Sequence, residues 1–161
     1  MPSILKFCQG LPRLNISAGD YLLAEGVKSK TVFILIEGKV EVVKDNFQIN
    51  KLSQPGSIFG EMSVLLDIPH MANVKALTNT SVYVIENGKD FLKSNSEITF
   101  YLAKILAQRL NGVTSYLMDI KKQFEGNDDH YSMVDEVLES LVYDQEDDGI
   151  ELGSERDNSS N

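Results

Sequence analysis

The sequence contains very little of several residue types on which common protein functions depend. It has one cysteine, Cys8, so no internal disulfide is possible, which suits a reducing compartment. It has only two histidines, and no Ser-His-Asp or metal-binding cluster is recognisable around them. The N-terminus lacks a long apolar segment, and the longest apolar run, residues 32–36, is too short to span a bilayer. We therefore expect a cytoplasmic protein that is not an enzyme and has no metal, no other cofactor and no membrane partner.

Acidic residues are concentrated near the C-terminus. The net charge is −9, but residues 125–161 carry 13 acidic residues and one arginine, whereas residues 1–124 carry 14 basic and 11 acidic residues. A segment this acidic repels the phosphate backbone of nucleic acids, so we expect no nucleic-acid partner. Its composition predicts disorder, except for a short amphipathic helix at about residues 132–143. This helix either docks back on the domain or recruits an unidentified protein partner.

Short segments between Asn15 and Glu86 indicate an antiparallel β fold. Residues 31–36 are rich in β-branched and aromatic side chains, and residues 39–43 alternate between polar and apolar. Many short strands at this spacing predict a sandwich or barrel. With the helical pattern that follows, the expected fold class is mainly β with α: an antiparallel, jelly-roll-like β-roll and a long C-terminal helix. Residues 1–124 are predicted to form this domain, and residues 125–161 the tail.

A long helix is predicted at residues 97–124, capped by Ser94 or Ser96. Its apolar residues alternate at steps of three and four, which is the a/d spacing of a coiled coil. They are Ala103, Leu106, Leu110, Val113, Leu117, Ile120 and Phe124. This seam either packs on its own domain or joins two copies, and its narrowness favours a homodimer through the 97–124 helix.

Glycines and a gap-free cassette recur in a specific order. Gly19, Gly26 and Gly38 fall at predicted tight turns, where glycine tolerates a positive φ. The cassette follows in two halves, first Phe59-Gly60-Glu61-Met62-Ser63 and then Pro69-His70-Met71-Ala72-Asn73-Val74. Over residues 11–124 this series resembles the cyclic-nucleotide-binding domain of catabolite activator proteins, protein kinase A regulatory subunits and cyclic-nucleotide-gated channels. The resemblance implies a β-roll that binds a cyclic nucleotide.

The resemblance also implies a set of ligand-binding residues. In the family the cassette glutamate accepts a hydrogen bond from the ribose 2′-hydroxyl, a role that carries over to Glu61, although an acid here also fits a helix cap. The family's long helix closes the base pocket, where Thr114 or Ser115 would bond an adenine amino group or lie simply exposed. The predicted set is Phe59, Gly60, Glu61, Met62, Ser63, His70, Met71, Ala72, Val74 and Thr114.

His70 departs from the family pattern, which has an arginine here to pair with the cyclic phosphate. Arginine is always charged and grips phosphate with two parallel hydrogen bonds, whereas histidine is mostly neutral at pH 7. The exchange would weaken binding by roughly 1–3 kcal/mol. His70 is therefore a weaker phosphate partner, a surface histidine in a pocket that binds no nucleotide, or a ligand to another group such as haem. Met71 is bulkier than the usual small residue, but its N–H can still reach the phosphate.

Two functions follow from these residues. The first is a stand-alone regulatory sensor that binds cAMP in preference to cGMP, and the intact Gly60-Glu61 pair favours it. The second is a degenerate, nucleotide-free β-roll that serves protein interaction or dimerisation, and His70 and Met71 favour it. The residues after the long helix include no basic recognition helix, so a DNA-binding regulator is not expected.

Overall fold

The computed structural model of the chain describes residues 3–124 and 128–143. Within these residues it contains eight strands, four α-helices and a 3₁₀ helix at Ser3–Cys8. The strands are β1 (Arg13–Ile16), β2 (Tyr21–Leu23), β3 (Val32–Glu37), β4 (Val40–Lys44), β5 (Phe47–Leu52), β6 (Ile58–Phe59), β7 (Asn73–Ala76) and β8 (Thr80–Ile85). The helices are α1 (Glu61–Leu66), α2 (Gly88–Ser94), α3 (Ser96–Gln123) and α4 (Asp128–Tyr143).

The strands form two four-stranded antiparallel sheets, in the orders β1-β8-β3-β6 and β2-β7-β4-β5. The first strand pairs with the last, with Ile16 opposite Thr80, and β2 pairs with β7, with Leu23 opposite Val74. These long-range pairings wind the chain into a roll. The expected fold class, an antiparallel β-roll followed by a long helix, is confirmed.

Apolar side chains from both sheets form the core of the roll. Leu35 and Val82 come from one sheet and Val40 and Ala76 from the other, and none of the four is exposed to solvent. Full burial of a valine or leucine side chain contributes about 1.5–3 kcal/mol to the free energy of unfolding. The core cluster is Ile16, Leu23, Phe33, Leu35, Val40, Phe59, Val74, Ala76 and Val82. Because β2, β6 and β7 all contribute to it, the core fixes the elements that carry the cassette.

Two compact units divide the chain, Met1–Ala103 and Lys104–Asn161, so α3 begins in the first and continues into the second. At the start of α3 the Ile98 N–H donates to the Asn95 side-chain oxygen at 3.2 Å, which makes Asn95 the capping residue. The prediction of Ser94 or Ser96 as the cap is therefore wrong, since the Ser94 hydroxyl donates to the carbonyl of the preceding helix at Phe91. The functional division predicted at residue 124 stays a prediction.

In the second unit α4 packs against α3. The Lys121 ammonium bonds the Asp135 carboxylate, which joins the two helices. The predicted short helix at 132–143 exists and begins earlier, at Asp128. Within α3 the seam residues Leu110 and Val113 remain 47% and 51% exposed. Residues 144–161, predicted to be disordered, lie outside the described residues.

The single cysteine is a core residue. Cys8 is buried, and burial raises the pKa of its thiol to about 11, so the thiol stays protonated and unreactive at neutral pH. In the part of the chain that the structure describes, no helix is both long and apolar enough to cross a membrane. The same residues contain no group of three side chains placed to hold a metal ion.

Candidate functional site

The 24–31 loop, which links β2 to β3, contacts both halves of the predicted cassette. A Cβ placed on Gly60 would lie 2.6 Å from the Thr31 carbonyl oxygen. The His70 N–H donates to the Val27 carbonyl at 3.0 Å, and the His70 carbonyl accepts from the Gly26 N–H at 2.9 Å. The structure therefore brings residues 59–63 and residues 70–74 to the same loop, although they are separate in sequence.

Gly60 and Glu61 have the most specific environments in the first half. Gly60 precedes α1 with φ +85°, in the left-handed region that favours glycine. With the Thr31 carbonyl against it, no larger residue fits without a shift of backbone. Glu61 opens α1 and is only 4% exposed, so its carboxylate lies inside the protein. A buried carboxylate is costly unless it is hydrogen-bonded, so the position of Glu61 is specific rather than incidental.

Of the other three residues in the first half of the cassette, two are buried and one is exposed. Phe59 pairs with Phe33 in the sheet and belongs to the core. Ser63 is buried, and its hydroxyl donates to the Ile68 carbonyl, which holds the end of α1 to the chain that follows. Met62 projects outward and is exposed. Phe59 and Ser63 therefore support the cassette.

His70 lies inside the protein, against the 24–31 loop. It is 7% exposed, and its Nε2 shares a hydrogen bond with the Ser29 hydroxyl at 2.9 Å. Burial lowers the pKa of the imidazole, so the ring is uncharged at neutral pH. The reading of His70 as a surface histidine is therefore wrong, because the 24–31 loop covers it. No signal in the sequence links Ser29 to a histidine so far along the chain.

A lysine that the sequence analysis missed reaches the second half of the cassette. The Lys44 ammonium, at the end of β4, donates to the Met71 carbonyl at 2.8 Å and to the Glu25 carboxylate at 3.1 Å. The Glu25 N–H donates to the Asn73 side-chain oxygen at 2.7 Å. The pairing of β4 with β7, in which Val43 lies opposite Asn73, places Lys44 beside the cassette. Only a correct strand order could have revealed this contact.

The remaining predicted residues fall in different environments. Met71 is half-exposed and Ala72 half-buried, and they form the turn into β7. Val74 is a buried core residue of β7. Thr114 is half-buried on α3, in the second compact unit, and its contact with a base stays a prediction.

Lysines also surround the end of α1. The Lys28 ammonium pairs with the Asp67 carboxylate at 2.9 Å on the surface. The hydrogen bond and charge of Lys28 hold the pKa of Asp67 below its usual value, with smaller contributions from Lys89 and Lys30. Asp67, which lies between the two halves of the cassette in the sequence, is therefore stabilised in its charged form by its lysine neighbours.

Residues 13–93 match the family model described as the cyclic nucleotide-binding domain. The chain belongs to this family. The match extends from β1 to α2, and so includes the whole cassette, the 24–31 loop and Lys44.

Known cyclic nucleotide-binding domain proteins resemble this chain at low identity. The cGMP-dependent protein kinase egl-4 of Caenorhabditis briggsae is 20% identical over 141 residues, which cover 88% of this chain and 18% of the kinase. A solved structure described as cAMP-bound PfPKA-R is 26% identical with a TM-score of 0.54, covering 68% of this chain and 37% of that one. Thermus thermophilus catabolite activator protein is 20% identical with a TM-score of 0.62, covering 74% and 60%. The chain thus spans less than a fifth of the kinase relative.

Proposed function

We propose that this domain binds a cyclic nucleotide, cAMP in preference to cGMP, and acts as a regulatory sensor rather than as an enzyme. One observation carries the proposal: the 24–31 loop contacts both Gly60, through the Thr31 carbonyl, and His70, through its backbone and its ring. This common contact with one loop supports the proposal that the two halves of the cassette act together in binding. The burial of Glu61 at the start of α1 also supports the proposal, since the family's cassette has its glutamate at this position.

Each part of the nucleotide has a proposed partner. Glu61 accepts a hydrogen bond from the ribose 2′-hydroxyl. Gly60 lets the Thr31 carbonyl pack against the start of α1, which fixes the backbone that presents Glu61. The N–H groups of Met71 and Ala72 donate to the cyclic phosphate. His70, uncharged and bonded to Ser29, holds the cassette against the 24–31 loop. Binding then depends mainly on backbone donors, which predicts micromolar rather than nanomolar affinity.

A comparison with a solved structure favours adenine as the base. The solved relative with bound cAMP supports adenine. The kinase relative is named for cGMP, so both nucleotides need to be compared directly.

A second function is favoured by a specific observation. His70 is bonded to Ser29, and Lys44 to Glu25, so these polar groups are satisfied within the protein. A roll of this kind can serve as an interaction module that binds no nucleotide. In either case we propose a homodimer through α3, because Leu110 and Val113 of the seam are about half exposed.

Isothermal titration of the purified chain with cAMP and then cGMP at pH 7.5 tests the proposal. We expect saturable binding in the micromolar range, with cAMP the tighter ligand. Glu61→Gln should weaken binding about tenfold or more, since a hydrogen bond to a charged group contributes about 1.5–3 kcal/mol. Glu37→Gln, which removes an exposed acid on β3, is the matched control and should bind normally. No heat with either nucleotide at millimolar concentration, from folded protein, would support the interaction module instead.

A further inference from the structure

We infer that Lys44 is a positioning residue of the cassette. Its ammonium donates a hydrogen bond to the Met71 carbonyl, and its positive charge attracts a phosphate bound on the other side of the Met71–Ala72 peptide. Lys44 thus replaces the charge that His70 does not carry. The inference rests on the proposed nucleotide binding and deepens it. It names a residue on β4, outside the cassette, as the determinant of affinity for the ligand's phosphate.

The first step is the missing charge. A cyclic phosphate carries a negative charge, and backbone donors alone leave that charge uncompensated. His70 does not provide a cation, because its ring is buried and bonded to a neutral hydroxyl. The Lys44 ammonium, in contrast, lies 2.8 Å from the carbonyl of the very next residue, Met71.

The second step is the geometry of the peptide. The described chain has no cis peptide bonds, so the N–H of Ala72 points away from the Met71 carbonyl that Lys44 holds. Summing the two hydrogen bonds and the width of the peptide places an acceptor on that N–H at roughly 8 Å from the ammonium. This distance is about one Debye length at physiological salt, so the attraction survives in part. A hydrogen bond to the carbonyl also polarises the peptide and strengthens its N–H as a donor.

The third step is Glu25, which opposes Lys44. Its carboxylate lies 3.1 Å from the same ammonium, and the two side chains are 33% and 40% exposed, so each is partly shielded from water. The Glu25 N–H is held by Asn73, which keeps this acid beside the cassette. Glu25 therefore offsets part of the positive charge. Removing it should strengthen the attraction for a phosphate, whereas removing Lys44 should weaken it.

The inference predicts that substitutions at Lys44 and at Glu25 change the affinity for cAMP in opposite directions. In cAMP titrations of the full chain, Lys44→Met should weaken binding about three- to tenfold, and Glu25→Gln should tighten it about threefold. Lys44→Arg, which keeps the charge and a donor, should bind nearly as the unmodified protein does. Lys39→Met removes an exposed lysine in the turn between β3 and β4, and this matched control should not change affinity. Thermal melts show whether each variant is folded.

The alternative, a clamp that only holds the loop in place, gives a different result. Both Lys44→Met and Glu25→Gln would then weaken binding and lower the melting temperature together, and the inference would be overturned. Unchanged affinity in Lys44→Met would overturn it too.

A second titration separates this inference from the proposed function. If the unmodified chain binds neither nucleotide, inorganic phosphate is titrated while the backbone amide signals of Met71 and Ala72 are followed by NMR. We expect phosphate to shift these signals, and to shift them less in Lys44→Met. No shift in the unmodified protein, or equal shifts in both, would exclude Lys44 as the determinant of anion affinity.

Discussion

Gly60 shows most directly how one residue depends on its surroundings. Its φ of +85° and the Thr31 carbonyl 2.6 Å from a would-be Cβ leave no room for another side chain. Gly60→Ala should therefore lower the free energy of unfolding by about 1–3 kcal/mol, measured by urea denaturation. Gly112→Ala is the control: no atom lies within 4 Å of its would-be Cβ on α3, and it should stabilise by up to about 1 kcal/mol. Equal effects at the two glycines would contradict this account.

His70 should make stability depend on pH. Because burial lowers the pKa of the folded imidazole, the unfolded chain takes up a proton first as the pH falls. This contribution to stability is complete above the unfolded pKa of about 6.5 and is lost as the pH falls below it. Urea denaturation at pH 7.5 and 5.5 should show a larger loss in the unmodified protein than in His70→Gln, which has no proton to gain. Parallel losses in the two proteins would show that His70 is not buried as described.

The sequence was sufficient to identify residues that belong to a continuous motif. Gly60 and Glu61 were recognised because the cassette is continuous, and the structure gives both an unusual environment. Ser29 and Lys44 were not recognised, because each meets the cassette only through the winding of the roll. A surface histidine was one of the alternatives for His70, and nothing local in the sequence indicated that another loop covers it.

Among the elements, alternation and β-branched residues predicted the longer strands. Residues 31–36 and 39–43, for example, correspond to β3 and β4 with small shifts at their ends. The strands β1 and β6 were missed: β6 has two residues, and β1 buries only Ile16 of its four. Helix α2 was missed as well, because it begins at Gly88, a poor helix former. A Cβ there would come within 2.7 Å of Val32, so packing overrides helix propensity.

The seam of α3 gives a prediction about assembly. Leu110 and Val113 lie one step apart on the a/d stripe and are both about half exposed, so a second copy would bury them. Charges at both positions, in a Leu110→Glu and Val113→Glu variant, should shift the chain from dimer to monomer in sedimentation equilibrium. Ser115→Glu, on the opposite face of the helix, should leave the dimer intact. A chain that is monomeric before any substitution would refute the dimer.

For the whole molecule, the proposed nucleotide site and the proposed dimer seam lie in different parts of the chain. The cassette, the 24–31 loop and Lys44 belong to the unit of residues 1–103, whereas the exposed seam and α4 belong to residues 104–161. The unequal charge of the chain follows a similar division, with most acidic residues after residue 124. The sequence predicted the fold class and the family, because those depend on many residues together. It could not predict the contacts between distant segments that complete the site.

The pairing of β1 with β8 also determines when the roll can close as the chain is synthesised. Ile16 and Thr80 must meet across most of the roll, and contacts this distant in sequence form slowly because a long loop must close first. During synthesis the chain possesses Gly60, Glu61 and His70 before it possesses the strand that closes the fold. A nascent chain therefore carries every residue of the cassette before the roll can close, and the proposed ligand site can form only after Ile85 has been added and β8 has paired.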